Sequence, residues 1–121
     1  MLQFRIDEER CIQCGECALE CPAGVIVMDP QPKITNEAGC FQCQHCLAVC
    51  PTAAVSILGK DPDASMVLEG NLPDPARLAT LIKGRRAVRR YHDHDLPPEL
   101  IEHLLEVSCH APTGVNARSV L

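Results

Sequence analysis

The stretch Cys11-Ile-Gln-Cys-Gly-Glu-Cys-Ala-Leu-Glu-Cys21-Pro22 places four thiols within eleven residues. Cysteines two apart would close small strained loops, and disulfide geometry tolerates such loops poorly. The four thiols therefore read as held by something other than one another. A second run, Cys40-Phe-Gln-Cys-Gln-His-Cys-Leu-Ala-Val-Cys50-Pro51, repeats the spacing C-x2-C-x2-C-x3-C-P. Cys11 aligns with Cys40, Cys14 with Cys43, Cys17 with Cys46, Cys21 with Cys50 and Pro22 with Pro51, at a constant offset of 29 residues. The segments that follow align as well, Ala23–Met28 against Thr52–Ile57. The first half of the chain is thus an internal duplication.

The 121 residues make one modest domain or two very small ones. Phe4, Phe41 and Tyr91 are the only aromatic residues, so a half-length core cannot bury enough apolar area by itself, and a staple is expected. Nine cysteines would suit a secreted disulfide scaffold, but the charged segment Met1–Arg10 has no apolar stretch of the kind a signal peptide carries. No apolar run approaches the ~18 residues of a spanning helix. The expectation is a cytoplasmic chain, off the membrane, whose thiols stay reduced and serve as metal ligands. The net charge of −5 is spread over both halves, with a dense basic run, Lys83-Gly-Arg-Arg-Ala-Val-Arg-Arg90, in the second. An acidic balance disfavours nucleic acid as the main partner.

Along the chain, Leu2–Ile6 alternates like a short strand. A helix is expected around residues 15–20, a strand at Val25–Met28, a turn at Pro30–Lys33 and a weak strand at Lys33–Thr35. A second helix is expected near 44–49 and a last strand near 54–58. Residues 59–73 read as a linker. Beyond it Asp74 can cap a helix with Pro75 at its first position. Leu78, Leu81 and Ile82 mark the apolar face of that helix, and Gly84 can end it. A further helix is expected from Pro98 to about His110, with Ile101, Leu104, Leu105 and Cys109 as its stripe.

Three cysteines at two-residue spacing can wrap one corner of an iron–sulfur cubane, with backbone N–H groups turned towards its sulfurs. The fourth cysteine lies past a helical turn and serves the other cluster of a two-cluster protein. The assignment is then crossed: Cys11, Cys14, Cys17 and Cys50 hold one centre, and Cys40, Cys43, Cys46 and Cys21 the other. The crossing would staple the two halves together. Pro22 and Pro51 turn the chain away after each run. Structural zinc is the competing reading, but zinc sites pair short C-x2-C units across long gaps. With four cysteines for each set of ligand positions, His45 reads as a hydrogen-bonding or exposed neighbour.

On these motifs residues 1–58 resemble the bacterial-type ferredoxins with two [4Fe–4S] clusters. The resemblance implies an α+β, ferredoxin-like βαββαβ domain and one-electron transfer between two nearby clusters, with redox proteins as partners. Residues 74–121 read as a helical segment in which about residues 75–117, with Leu81–Asn116 carrying the motifs, resemble the N-terminal part of FMN-dependent nitroreductases. That family opens with a helix, an Arg-Arg-Ser-x-Arg-like loop, another helix and an Ala-Pro-Ser-x-x-Asn-like turn. The resemblance implies that Arg85, Arg86 and Arg89 grip the flavin phosphate, as Arg suits. Ala87 stands where a phosphate-binding Ser is usual. It also implies that Thr113, Gly114 and Asn116 form the turn that reaches the flavin of a partner subunit, and that the two helices join a homodimer. After Asn116 the sequence reads Ala-Arg-Ser-Val where the family has x-Gln-Pro-Trp. The sheet and helices expected downstream are missing, so the resemblance implies a fragment or truncated product, with FMN bound only in a longer chain or a completed dimer. Two functions follow from these resemblances: an electron carrier with no catalytic residues of its own, or the front end of an oxidoreductase feeding electrons to FMN.

Other features carry blander readings. His92-Asp-His-Asp95, beside prolines, reads as a solvated loop rather than a metal site. Cys109 reads as a small core residue, and Tyr91 as packing.

Overall fold

The structure, a computed structural model, describes residues 1–117. Its described chain falls into two compact units, Met1–Ser65 together with the residues from Pro112, and Met66–Ala111. The architecture is a small mixed α/β one with four helices and short strands.

In the first unit the crowding of cysteines keeps every element short. Helices α1 (Glu16–Leu19) and α2 (His45–Ala48) are one turn each and carry the third cysteine of each run. Strands β1 (Arg5–Ile6), β2 (Ile26–Asp29), β3 (Gln31–Ile34) and β4 (Val55–Ser56) follow the order β1-α1-β2-β3-α2-β4, with a 3-10 turn at Glu37–Gly39 before α2. They pair in two antiparallel couples. β1 lies against β4, Arg5 opposite Ser56 and Ile6 opposite Val55. β2 lies against β3, from Ile26 opposite Ile34 to Asp29 opposite Gln31. The first couple joins the start of one repeat to the end of the other.

The core draws equally on both repeats. Leu2, Cys17, Val25, Ile26, Cys46, Val55 and Ile57 form one buried cluster, with Ala54 also buried. Cys17 and Cys46 are equivalent by the 29-residue offset, as are Val25 with Ala54 and Ile26 with Val55. The largest buried side chains are Val55, 2 % exposed, and Ile57, 1 % exposed.

The elements differ from the sequence expectation in a few places. The first strand narrows to Arg5–Ile6, although Leu58 N–H still donates to Leu2 C=O at 2.7 Å. The expected turn at Pro30–Lys33 is mostly strand: β3 begins at Gln31, and Met28 faces Pro32. Each strand of a two-stranded sheet has an outer edge, where proline's missing N–H is tolerated. Lys60 pairs with Ile57 in an isolated bridge, and Arg10 Nη1 reaches Asp63 Oδ1 at 2.9 Å, so residues 59–65 continue the first unit.

In the second unit α3 spans Pro75–Gly84 and α4 spans Pro98–Ser108. Asp74 caps α3 as the sequence suggests, its Oδ1 accepting from Ala76 N–H at 3.0 Å and Arg77 N–H at 3.1 Å. Neither helix has a buried residue. The expected stripes of Leu78, Leu81, Ile82, Ile101, Leu104 and Leu105 stay 42–68 % exposed. Two expectations are corrected here. Cys109 is exposed, because it follows the last helical residue of α4 and has no packed face to join. Tyr91 is exposed too, and its hydroxyl donates to Val88 C=O at 3.0 Å instead of packing. No helix among the described residues is long and apolar enough to cross a membrane.

Candidate metal centre

The two cysteine loops owe their shape to left-handed backbone at matched positions. Gln13 (φ 55°) pairs with Gln42 (φ 53°), Gly15 (φ 81°) with Gln44 (φ 61°), and Gly24 (φ 61°) with Ala53 (φ 53°), each at the 29-residue offset. Left-handed glutamines are uncommon and cost strain of order 1–3 kcal/mol, so they persist only where the surroundings over-determine them. Here they bend the chain between consecutive cysteines, and α1 and α2 each begin just after the second bend. The sequence reading missed these backbone positions. The sequence signal at these bends was Gly15, standing where the other repeat has Gln44; the glutamines themselves carry none.

Folding brings the thiols together in two sets. Cys11, Cys14 and Cys17 line one cavity together with Cys50, from the other run. Cys40, Cys43 and Cys46 line a second cavity together with Cys21. Apolar side chains supply much of the remaining walls, Ile12, Met28, Pro32 and Val55 around the first and Val25, Ile34, Phe41 and Ile57 around the second, with Gln13, Glu16 and Thr52 also on the first and Gln44 on the second. All nine cysteines are free thiols. Among the described residues, no three Cys, His or acidic side chains meet at a point that one ion would fill. The thiols instead ring two cavities. That donor set, four soft sulfurs around each cavity with no Lys, Arg or His on its walls, fits an iron–sulfur cluster.

Backbone amides reach two of the sulfurs. Gln42 N–H donates to Cys40 Sγ at 3.4 Å and Ala54 N–H to Cys50 Sγ at 3.2 Å, with the Thr52 hydroxyl 3.8 Å from the same Cys50 sulfur. The electrostatics follow. Burial pushes the Cys46 thiol up to about 11, the charges of Cys43, Cys40 and Cys17 adding to it. Burial, then the neighbouring Cys50 and Cys14, also raises Cys17. At Cys50 burial acts in the same direction, but the donors at Ala54 and Thr52 outweigh it and lower the thiol. His45 is half exposed, with Nε2 3.6 Å from Glu20 Oε2, beside the second cavity rather than in it.

The flavin candidates are divided. Arg85, Arg86 and Arg89 are exposed residues of the second unit, and Arg86 Nη1 donates to the carbonyls of Lys83 and Arg85. Thr113, Gly114 and Asn116 belong to the first unit, where Asn116 Nδ2 donates at 3.0 Å to the carbonyls of both Phe41 and Gln42. Residues 118–120, where the sequence departs from the nitroreductase turn, lie outside the described residues. His92 and His94 are exposed, their rings 5.8 Å apart.

Comparison with known families keeps the flavin candidates in a single match, across the boundary of the two units. Residues 4–57 match the 4Fe-4S dicluster domain, and residues 82–121 match the nitroreductase family. No curated protein and no solved structure matches the chain.

Proposed function

We propose, for a chain that carries a 4Fe-4S dicluster domain ahead of a nitroreductase-family segment, that it is a one-electron carrier of the two-[4Fe–4S] ferredoxin type. In this reading the order β1-α1-β2-β3-α2-β4 is the ferredoxin βαββαβ fold. Cys11, Cys14, Cys17 and Cys50 hold one cluster, and Cys40, Cys43, Cys46 and Cys21 the other. The observation that carries the reading is the composition of the two cavities: each is lined by three thiols of one run and the fourth of the other. Bound clusters supply reversible one-electron chemistry.

The protein's own residues set the conditions. Cys17 and Cys46 are the buried thiols of the two sets. Burial raises both, which disfavours the free thiolate, and ligation of iron would take a proton from each. The amides of Gln42 and Ala54 and the Thr52 hydroxyl direct positive dipoles at sulfur, which favours added electrons there.

The test is iron and sulfide analysis of anaerobically loaded protein, where about eight of each are expected for two cubanes. Four or fewer irons would end the two-cluster reading. Replacing Cys21→Ser tests the crossing. It should damage the centre held by Cys40, Cys43 and Cys46, and paramagnetic spectra disturbed only in the other centre would contradict it.

A second reading is favoured by the nitroreductase match at 82–121. In it the protein is an oxidoreductase whose clusters feed FMN, Arg85, Arg86 and Arg89 binding the phosphate, Thr113, Gly114 and Asn116 reaching the flavin of a partner subunit, and α3 and α4 joining a homodimer. Against it, the arginines are exposed, and an exposed charge contact contributes about 1 kcal/mol or less. Titration followed by flavin fluorescence is expected to give weak binding or none. Stoichiometric quenching at submicromolar FMN would put the oxidoreductase reading first.

A further inference from the structure

The two cysteine loops are near copies, yet among the described residues they differ in one side-chain donor. Asn116 Nδ2 donates at 3.0 Å to Phe41 C=O and at 3.0 Å to Gln42 C=O. Their counterparts in the first loop, the carbonyls of Ile12 and Gln13, receive no side-chain donor among the described residues. Val115 and Asn116 both sit in left-handed backbone, at φ 47° and 56°. Asn accepts that conformation readily, but a β-branched Val does so at a cost. The strained turn presents the Asn116 amide to the loop.

The peptide it meets has a particular position. Phe41 C=O and Gln42 N–H belong to one peptide group, and that N–H donates to Cys40 Sγ at 3.4 Å. A carbonyl that accepts a hydrogen bond polarises its own amide, so the N–H at the other end donates more strongly. The chain Asn116 Nδ2–H···O=C(Phe41)–N(Gln42)–H···Sγ(Cys40) therefore runs from the turn to a thiol of the second cavity.

We propose that Asn116 is a positioning residue for the second cysteine loop, and that through the Phe41–Gln42 peptide it raises the reduction potential of the centre Cys40 helps to hold. The inference rests on the cluster reading above. An N–H dipole aimed at sulfur stabilises the more negative, reduced state, and hydrogen bonds to the sulfurs are among the determinants of cluster potential. The relay makes the two otherwise duplicated centres unequal and ties one of them to the segment that matches the nitroreductase family.

The test is a potentiometric titration, monitored by paramagnetic resonance, of the loaded full chain as wild type, Asn116→Gly and Asn116→Asp. Both variants tolerate left-handed backbone and both lack the donor; Gly adds no charge. In Asn116→Gly the oxidation equilibrium of one centre is expected to shift towards the oxidised form by about two- to fivefold, the scale of one weakened hydrogen bond, while the other centre stays in place. Asn116→Asp should shift that same centre at least as far. Hydrogen exchange gives a second readout: the Gln42 amide should exchange faster in both variants. Unchanged titrations, or both centres moving together, would overturn the relay. Iron content on the same samples separates the two failures. Eight irons with coincident titrations overturn the relay alone, whereas four irons in the wild type overturn the cluster reading and the relay with it.

Discussion

The two compact units reverse the usual relation between local and tertiary structure. In the second, α3 and α4 have ten and eleven residues, prolines at their starts and, for α3, a hydrogen-bonded Asp74 cap. They are locally well specified, yet neither buries a side chain. In the first, the elements are two to four residues long and several residues are held in left-handed backbone. No helical turn of four residues is stable alone, yet this unit holds every buried hydrophobic among the described residues. Local propensity and tertiary burial have been separated along one chain. The first unit must draw its stability from long-range closure, and the crossed thiol sets are the closure that the structure offers.

That difference is most severely tested by removing metal. Chelation of iron should abolish the cooperative thermal transition of residues 1–65, because a core with so few large side chains cannot offset the entropy of ordering its loops. The helical signal of α3 and α4 should change far less. An apo-protein that melts cooperatively would mean that apolar packing, and not thiol ligation, holds the first unit.

A smaller effect separates the units by mutation. Ile57 is 1 % exposed in the centre of the core, and Ile57→Ala in the loaded protein should cost about 2–5 kcal/mol. Leu104 is 52 % exposed, and Leu104→Ala should stay within about 0.5 kcal/mol. Denaturant unfolding measures both. Comparable losses would show that Leu104 is buried in solution and that the contrast between the units is false.

What could be read from the sequence follows the same division. The 29-residue repeat located all eight candidate ligands, because metal chemistry fixes spacing and spacing survives in one dimension. The caps and apolar periods located α3 and α4, because helices are local. Burial was not legible: Leu78, Leu104 and Cys109 look like core residues in the pattern of the chain, and only the fold determines whether anything covers them. Nor was the conformation of Gln13, Gln42 and Gln44, since glutamine carries no preference for left-handed backbone and adopts it here under the constraint of the loop. The flavin candidates illustrate a third limit. A family pattern assigns both Asn116 and Arg85 to flavin, but the amide of Asn116 is engaged with Phe41 and Gln42, a partnership that no local signal announces.

The smallest expected effect concerns where the first unit ends. Arg10 Nη1 meets Asp63 Oδ1 at 2.9 Å, and Arg10 Nε lies 3.5 Å from Asp7 Oδ2. The hydrogen bond from Arg10, with its charge adding to it, holds the Asp63 carboxyl below its ordinary 3.8. A carboxylate lowered in the folded state contributes stability above its unfolded pKa and loses it as pH falls through the folded value. The contribution is therefore complete at neutral pH and disappears only in acid, below about pH 4. Both side chains are well exposed, so water and salt screen the pair and its effect on global stability should be slight. Its consequence should instead be local. Asp63→Asn at neutral pH should quicken amide exchange at residues 61–65, where Asp63 N–H now donates to Asp61 Oδ1 and Ser65 N–H to Pro62 C=O. Exchange within α3 should not change. Acid below about pH 4 should reproduce the effect in the wild type and change residues 61–65 of the variant less. If residues 61–65 exchange alike in both proteins, the Ile57–Lys60 bridge is the last structural tie of the first unit, and its edge moves back from Ser65 to Lys60.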